Sequence, residues 1–383
     1  MSYKHLFSRA LSAAPDRLHF AAHSHHLWPD ASYEGHMRAW EDAAALADHK
    51  WGKVMGPIWA EVQGHIAREL SLPDPATISF SSNTHDFLLR IFSAIEKRPV
   101  RVLATDGEFH SFRRQMARWV EAGEAELVTA APDALANEAE KGRYDLIFAS
   151  QVLFNSGALM GDIRQLAALA DPAGPWVVID GYHGFMAVPT DLSAVADKIF
   201  YLAGGYKYAM AGEGVCFLHA PADFAPRPAA TGWYAEFDDL ALPPGSVGYA
   251  PDGRRFLGST FDPSGLYRFN AVQQMLQAEG LTTEKISEEV IALQNQFLVR
   301  INWPRFMFLN FATHGEVARF LAFKGEGASR MHSALAKHDV VTDLRGDVLR
   351  IGFGLYQDAD DVWRLNDVID KIDTDHRGYF SSI

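Results

Sequence analysis

Two residues of this 383-residue chain stand where charged side chains are seldom found. Asp180 ends the apolar run Trp176-Val177-Val178-Ile179, and Lys207 follows Ile199–Ala203 and the pair Gly204-Gly205. Each run reads as a buried strand, and the interval between the two residues suits one loop and one further strand. Both side chains then open into one crevice. An amine taken out of water, or set beside other cations, is nucleophilic and forms a Schiff base with an aldehyde. A carboxylate in the same crevice pairs with a cation, a pyridinium nitrogen being one. His183, three positions after Asp180, would orient that carboxylate or cover a ligand. Taken singly, Asp180 is a turn-capping residue and Lys207 a turn lysine that reaches water. It is the ordered pair that points to chemistry.

Other segments add to it. "FSSNTHDFLLRIF" is a strand end, then hydroxyl and amide side chains including Asn83 and Thr84, then a helical pattern. Such a junction aims backbone N–H groups and the positive end of a helix dipole at an anion, and it is also an ordinary N-cap. In "DGEFHSF" the ring of Phe109 or His110 is available to stack on a planar ligand. "FLGSTFDPSG" sets Ser259 and Thr260 in a glycine-flanked turn as hydroxyl donors. Arg350 alternates with apolar neighbours in "DVLRIGFG", so it is either salt-bridged or a bidentate clamp for a carboxylate.

The elements that must position these groups read as α/β. Apolar runs at 77–81, 101–105, 125–130, 144–150, 175–180, 198–203 and 214–219 alternate with amphipathic stretches such as 111–123 and 162–174. That alternation predicts a mostly parallel sheet, whose ligands sit outside the carboxyl ends of its strands. A Pro- and Gly-rich middle reads as irregular loops, and a long helical pattern starts near Gly265. The end reads as a smaller α/β unit, with strands "ARFLAFK", "VVTDL" and "DVLRIGF" between helices.

Composition narrows the classes. With 48% hydrophobic and 22% charged residues the chain is globular, and a net charge of −13 argues against nucleic acid or an anionic membrane as partner. Cys216 is the only cysteine, which excludes an internal disulfide and a Cys-based metal site and fits a reducing compartment. The first residues lack the apolar core of a signal peptide or a spanning helix, so a cytoplasmic protein is expected.

Asp-x-x-His, a "YKY" lysine downstream, and a "GST" turn after "GWY" together resemble the class V aminotransferase group of pyridoxal-phosphate enzymes, nearest the kynureninase branch. The resemblance runs from "LHFAAHSHHLWP" to "LRIGFGLYQDADDV". It implies fold type I: a large domain over 26–265 with a mostly parallel, seven-stranded-type sheet, and a smaller C-terminal α/β domain over 266–383. Residues 1–25 would pack with the smaller one. It implies pyridoxal 5'-phosphate on Lys207, which then shuttles protons, with Asp180 on the pyridine nitrogen and His183 in support. Phe109 would stack on the ring, while Asn83, Thr84 and Tyr206 hold the phosphate. Thr260 would reach the phosphate of a second subunit in a homodimer, Asn155 would lie near the ring oxygen, Arg350 would bind an α-carboxylate and Trp233 would contact substrate. The activity implied is transamination, Cβ–Cγ hydrolysis of the kynureninase kind, or β-elimination on an amino acid. "GWYAEF" departs from the kynureninase pattern, with Glu236 where that branch has His. Cys216 lies in a strand rather than on a late loop, which argues against a desulfurase.

A rival reading starts from His23 and His25 in "HFAAHSHHLWPD". His-x-His at a strand end is a metal-ligand arrangement of amidohydrolases, with a metal-activated water as nucleophile. It requires further ligands at later strand ends of an eightfold barrel, and it leaves Lys207 unexplained.

Overall fold

All seven apolar runs between residues 78 and 219 become strands of one sheet. The computed structural model describes residues 2–239, 243, 245–310, 318–375 and 380–381. A short strand near the start is β1 (Leu18–His19). The large sheet comprises β2 (Ile78–Ser81), β3 (Val100–Thr105), β4 (Ala125–Ala130), β5 (Leu146–Ser150), β6 (Trp176–Asp180), β7 (Ile199–Gly204) and β8 (Cys216–His219). Their order across the sheet is β2-β8-β7-β6-β5-β3-β4, and only β8 runs against the others. Every residue of β2, β5, β7 and β8 is buried. Both faces of these strands are covered, so each reads as a continuous apolar run rather than an alternating one.

Because β2, β3, β5, β6 and β7 are parallel, their carboxyl ends lie along one edge. Ser81, Thr105, Ser150, Asp180 and Gly204 are their last residues. The turn after Gly204 reverses the chain into β8, with Gly205 N–H bonded to the Val215 carbonyl at 2.8 Å. Lys207 sits in that reversal.

The remaining strands are β9 (Met307–Phe308), β10 (Phe320–Lys324), β11 (Val340–Val341), β12 (Asp343–Arg345) and β13 (Val348–Gly352). They form an antiparallel sheet of order β12-β13-β10-β9, while β11 pairs in parallel with β1. The run "VVTDL", expected as one strand, is split between these two sheets. The chain changes partner at Thr342, whose buried hydroxyl bonds His332 Nδ1 at 2.8 Å. The start of the chain continues past β1 beside β13, through Gly352 N–H to the Phe20 carbonyl at 2.7 Å. That course carries His23 against β13. Among the described residues no helix is long and apolar enough to cross a membrane.

Gly204 is required by packing rather than by backbone angle. A Cβ there would collide with the ring and hydroxyl of Tyr182 and with Cys216 Sγ. Gly204→Ala is therefore expected to cost about 1–3 kcal/mol of stability, as overpacked cores do. Urea unfolding checks this, and an unchanged midpoint would contradict the close contact.

Candidate active site

The strand ends enclose a cavity whose wall includes Asn83, Thr84, His85, Phe109, Ser150 and Phe154, together with Asp180, Tyr182, His183, Tyr206 and Lys207. Each group is there for a local reason. Asn83 caps the helix Thr84–Ala94, its side chain accepting from Asp86 N–H at 3.0 Å. The cap and the first residues of this helix, Asn83 to His85, line the cavity, and a helix N-terminus favours an anion. Phe109 precedes the helix His110–Glu121 without a side-chain cap, and its ring meets Phe154 edge-on at 5.4 Å.

Lys207 is only 6% exposed. Its Nζ lies 2.5 Å from His183 Nε2 and 4.8 Å above the Tyr182 ring. Burial drives the lysine well below its ordinary pKa; the Asp180 carboxylate opposes that shift and the Arg350 guanidinium adds to it. Burial and the charges of Lys207 and Arg350 drive His183 well below the usual imidazole value, so it is neutral. The short contact thus joins the lysine nitrogen to Nε2 of a neutral imidazole, whose other ring nitrogen is Nδ1. That Nδ1 is buried without a partner, as is Nδ1 of His85 on the cavity wall. Asp180 is raised from its ordinary value, chiefly by burial, while the Tyr182 N–H at 2.9 Å and Lys207 pull the other way. The result is a poised amine beside a neutral imidazole, with a carboxyl group in the same cavity.

Of the residues singled out in the sequence, Asn83, Thr84, Phe109, Asp180, His183, Tyr206 and Lys207 line this cavity. His183 contacts Lys207 rather than orienting the Asp180 carboxylate. Asn155 is not on the wall, and its Oδ1 is buried without a partner. Thr260 is exposed, and Trp233, 41% exposed, stacks on Tyr234 at 4.0 Å; neither lines the cavity of its own chain. Arg350 is buried and held by Asp343 and by the Phe154 carbonyl. Tyr182 and His85 carried no signal of their own, although each stands next to a residue that did.

Glu108 lies beneath the wall and was not legible as a site residue. It is fully buried and accepts from Thr105 Oγ1 at 2.5 Å, Ser150 N–H at 2.9 Å and Ser150 Oγ at 2.5 Å. It ties the ends of β3 and β5 to the loop that carries Phe109. Ser150 also lines the cavity, so the Glu108 carboxyl group braces that part of its wall.

The structure does not favour the metal-site reading. His23 is buried and stacks on Phe320 at 4.6 Å, whereas His25 is exposed and stacks on Tyr206 at 4.9 Å. Among the described residues no three His, Cys, Asp or Glu side chains converge as a metal site would require, and the sheet is open rather than an eightfold barrel.

No protein-family model matches the chain, and no curated protein does. Solved structures do. One is the cystine C-S lyase C-DES in complex with its product cysteine persulfide, with a TM-score of 0.79 at 17% identity over 93% of this chain and 98% of that one. This is fold type I of the pyridoxal-phosphate-dependent enzymes. The Escherichia coli cysteine desulfurase CsdA is similar at a TM-score of 0.79 and 16% identity, over 96% of this chain and 97% of that one. The apo cysteine desulfurase of Thermococcus onnurineus NA1 follows at 0.77 and 15%, over 97% and 98%. The fold expected from the sequence is the fold found; the structures named here are sulfur-handling enzymes, and they do not confirm the kynureninase branch.

Burial of Glu108 makes a prediction about pH. Burial pushes its carboxyl from an ordinary 4.5 up to about 7, against the three hydrogen bonds it accepts and with the charge of Asp180. The folded chain thus keeps a proton that the unfolded chain has lost. The contribution to stability is complete below about 4.5 and falls as pH rises to about 7, by about 3 kcal/mol for a shift of this size. Glu108→Gln should flatten that part of the stability–pH curve in chemical denaturation. A variant with the wild-type slope would remove Glu108 as its source.

Proposed function

We propose that this chain is a pyridoxal-5'-phosphate enzyme acting on an amino acid, with Lys207 holding the cofactor as a Schiff base and β-elimination as its reaction. The observation that carries the reading is the buried, poised amine of Lys207 against neutral His183, in one cavity with Asp180 and a helix N-terminus. The donor set fits that cofactor: an amine for its aldehyde, a carboxyl for its ring nitrogen, and first-turn N–H groups with Asn83 and Thr84 for its phosphate. The orphaned Nδ1 of His85 and of His183 offer further polar contacts on the same wall. When bound, the cofactor supplies an electron sink for charge developing at the substrate's Cα. Asp180 would pair with the ring nitrogen, the Phe109 ring would cover that ring, and the Lys207 amine would take the Cα proton. His183, in contact with that amine, is suited to relay the proton taken from Cα to the group leaving Cβ.

Elimination is favoured over desulfuration because the chain has one thiol. Cys216 is buried in β8, lies 3.4 Å from the Tyr182 hydroxyl and is pushed up to about 12 by burial. No thiolate is therefore available to take a sulfur atom, whereas elimination needs only a base and an acid. The C-S lyase among the similar structures fits this reading. We infer further that the chain works as a homodimer, in which exposed Thr260 and Trp233 meet the cavity of the second subunit. The proposed division is 26–265 and 266–383, with residues 1–25 on the smaller part.

The purified protein is expected to take up pyridoxal phosphate and turn yellow, to lose the visible band on borohydride reduction, and to carry the adduct on Lys207 by mass spectrometry. Lys207→Ala should lower turnover by at least a thousandfold, as loss of a covalent catalyst does. An amino-acid panel scored for keto-acid, alanine and anthranilate release separates the reactions. Pyruvate from β-substituted alanines is expected; anthranilate from kynurenine would overturn elimination, and a protein that takes up no cofactor would overturn the whole reading.

A further inference from the structure

Among the described residues Lys207 makes no ion pair. Its nitrogen contacts His183 Nε2 at 2.5 Å, and Asp180 acts on it through space rather than through a hydrogen bond. Burial weakens the cation most; of the charges felt there, Asp180 and Asp343 favour it while Arg350 and Arg345 oppose it, two against two. His183 is neutral, and so is His23, which also feels the lysine. What faces the nitrogen instead is aromatic. Nζ lies 4.8 Å from the centroid of the Tyr182 ring and 5.8 Å from that of Tyr206. The two rings meet at 4.9 Å with their planes tilted by 45°. Both distances are within the reach of a cation–π contact, about 6 Å.

The Tyr182 ring is held from both ends. Its backbone N–H bonds the Asp180 carboxylate at 2.9 Å. Its hydroxyl lies 3.4 Å from Cys216 Sγ at the start of β8, and that sulfur lies 3.8 Å from the carbonyl of Ser82, just past β2. A Cβ on Gly204 would collide with the same ring. Burial pushes the hydroxyls of Tyr182 and Tyr206 and the Cys216 thiol above their ordinary values, so none of them supplies a negative charge. What Tyr182 offers is its π face, which attracts a cation. The size of that attraction suits an amine that must gain and lose a proton. A carboxylate in contact moves a titration midpoint by about 1–3 pH units and would hold the lysine as an ammonium. A ring face moves it by about one.

We propose that Tyr182 is a positioning residue for the reactive amine: its ring, braced by Cys216 and admitted by Gly204, holds positive charge on the Lys207 nitrogen where no carboxylate does. Tyr182 acts in this role through Lys207 alone, and Tyr206, farther from Nζ, contributes less. The proposal rests on the reading of Lys207 as the reactive group of this cavity. It concerns the amine itself, and so it is testable without the cofactor.

The test measures the pH dependence of Lys207 acetylation in the full-length apoprotein, by competitive labelling with acetic anhydride read on the Lys207 peptide by mass spectrometry. Only the neutral amine reacts, so the midpoint reports how well the site holds the cation. Tyr182→Leu, which removes the ring, should lower the midpoint by about 1 pH unit, whereas Tyr182→Phe, which keeps it, should stay within about 0.3 of wild type. Phenylalanines bearing one, two and three fluorines at position 182 keep the ring's shape and drain its π face, so the midpoint should fall with each fluorine. A merely structural role gives that series one common midpoint. A folded Tyr182→Leu protein whose midpoint is unchanged or raised overturns the proposal, and so does a flat fluorine series. If Tyr182→Leu fails to fold, the fluorine series decides. An apoprotein with the expected midpoints that takes up no pyridoxal phosphate would count against the enzyme reading alone.

Discussion

Lys207 is taken out of water at the end of β7, and the surrounding structure answers that single cost. A buried ammonium without a partner is unstable by several kcal/mol, so the group either loses its proton or finds compensation. Here it does both in part. Its Nζ bonds a neutral imidazole, faces the Tyr182 ring, and feels Asp180 from the neighbouring strand end. Tyr182 can approach only because Gly204 has no side chain. The strain of one residue thus fixes the types of several others around it.

A second ring of polar groups holds this first one. Glu108 joins two strand ends and the Phe109 loop through Thr105 and Ser150. Asp343 holds Arg350 from the second sheet, and the Phe154 carbonyl links that arginine back to the cavity. Size does not mark the site. A cleft of about 400 Å³ between the chain start and the helices Thr283–Arg300 and Ala359–Asp375 is larger than the Lys207 cavity, at about 160 Å³. Its wall, including Ser2, Gln296, Asp358 and Asp360, brings together no buried base and no nucleophile.

The fold was readable because the central strands are buried on both faces, so each appears as an unbroken apolar run with a sharp polar end. Asp180 and Lys207 were readable for the same reason, as charged residues at the ends of such runs. The run "VVTDL" was misleading because it has the composition of one strand, while its two halves pair with strands far away in the sequence. Glu108 sits in a stretch that reads as a loop, and only the approach of β3 to β5 encloses it. Arg350 admitted two roles from its alternation alone, and its cross-strand neighbour Asp343 assigned it a structural partner.

The sequence by itself determined the alternation of elements, the parallel sheet and the order in which a carboxylate and an amine arrive at its edge. Those depend on burial pattern and chain direction, which are local properties. Only the tertiary structure decided that His183 faces Lys207 instead of Asp180, that His23 and His25 part company, and that Arg345 and Arg350 share one carboxylate. These are pairings between segments distant along the chain. Their energies depend on distances of a few ångström and on exclusion of water, and neither exists until the sheets close around them.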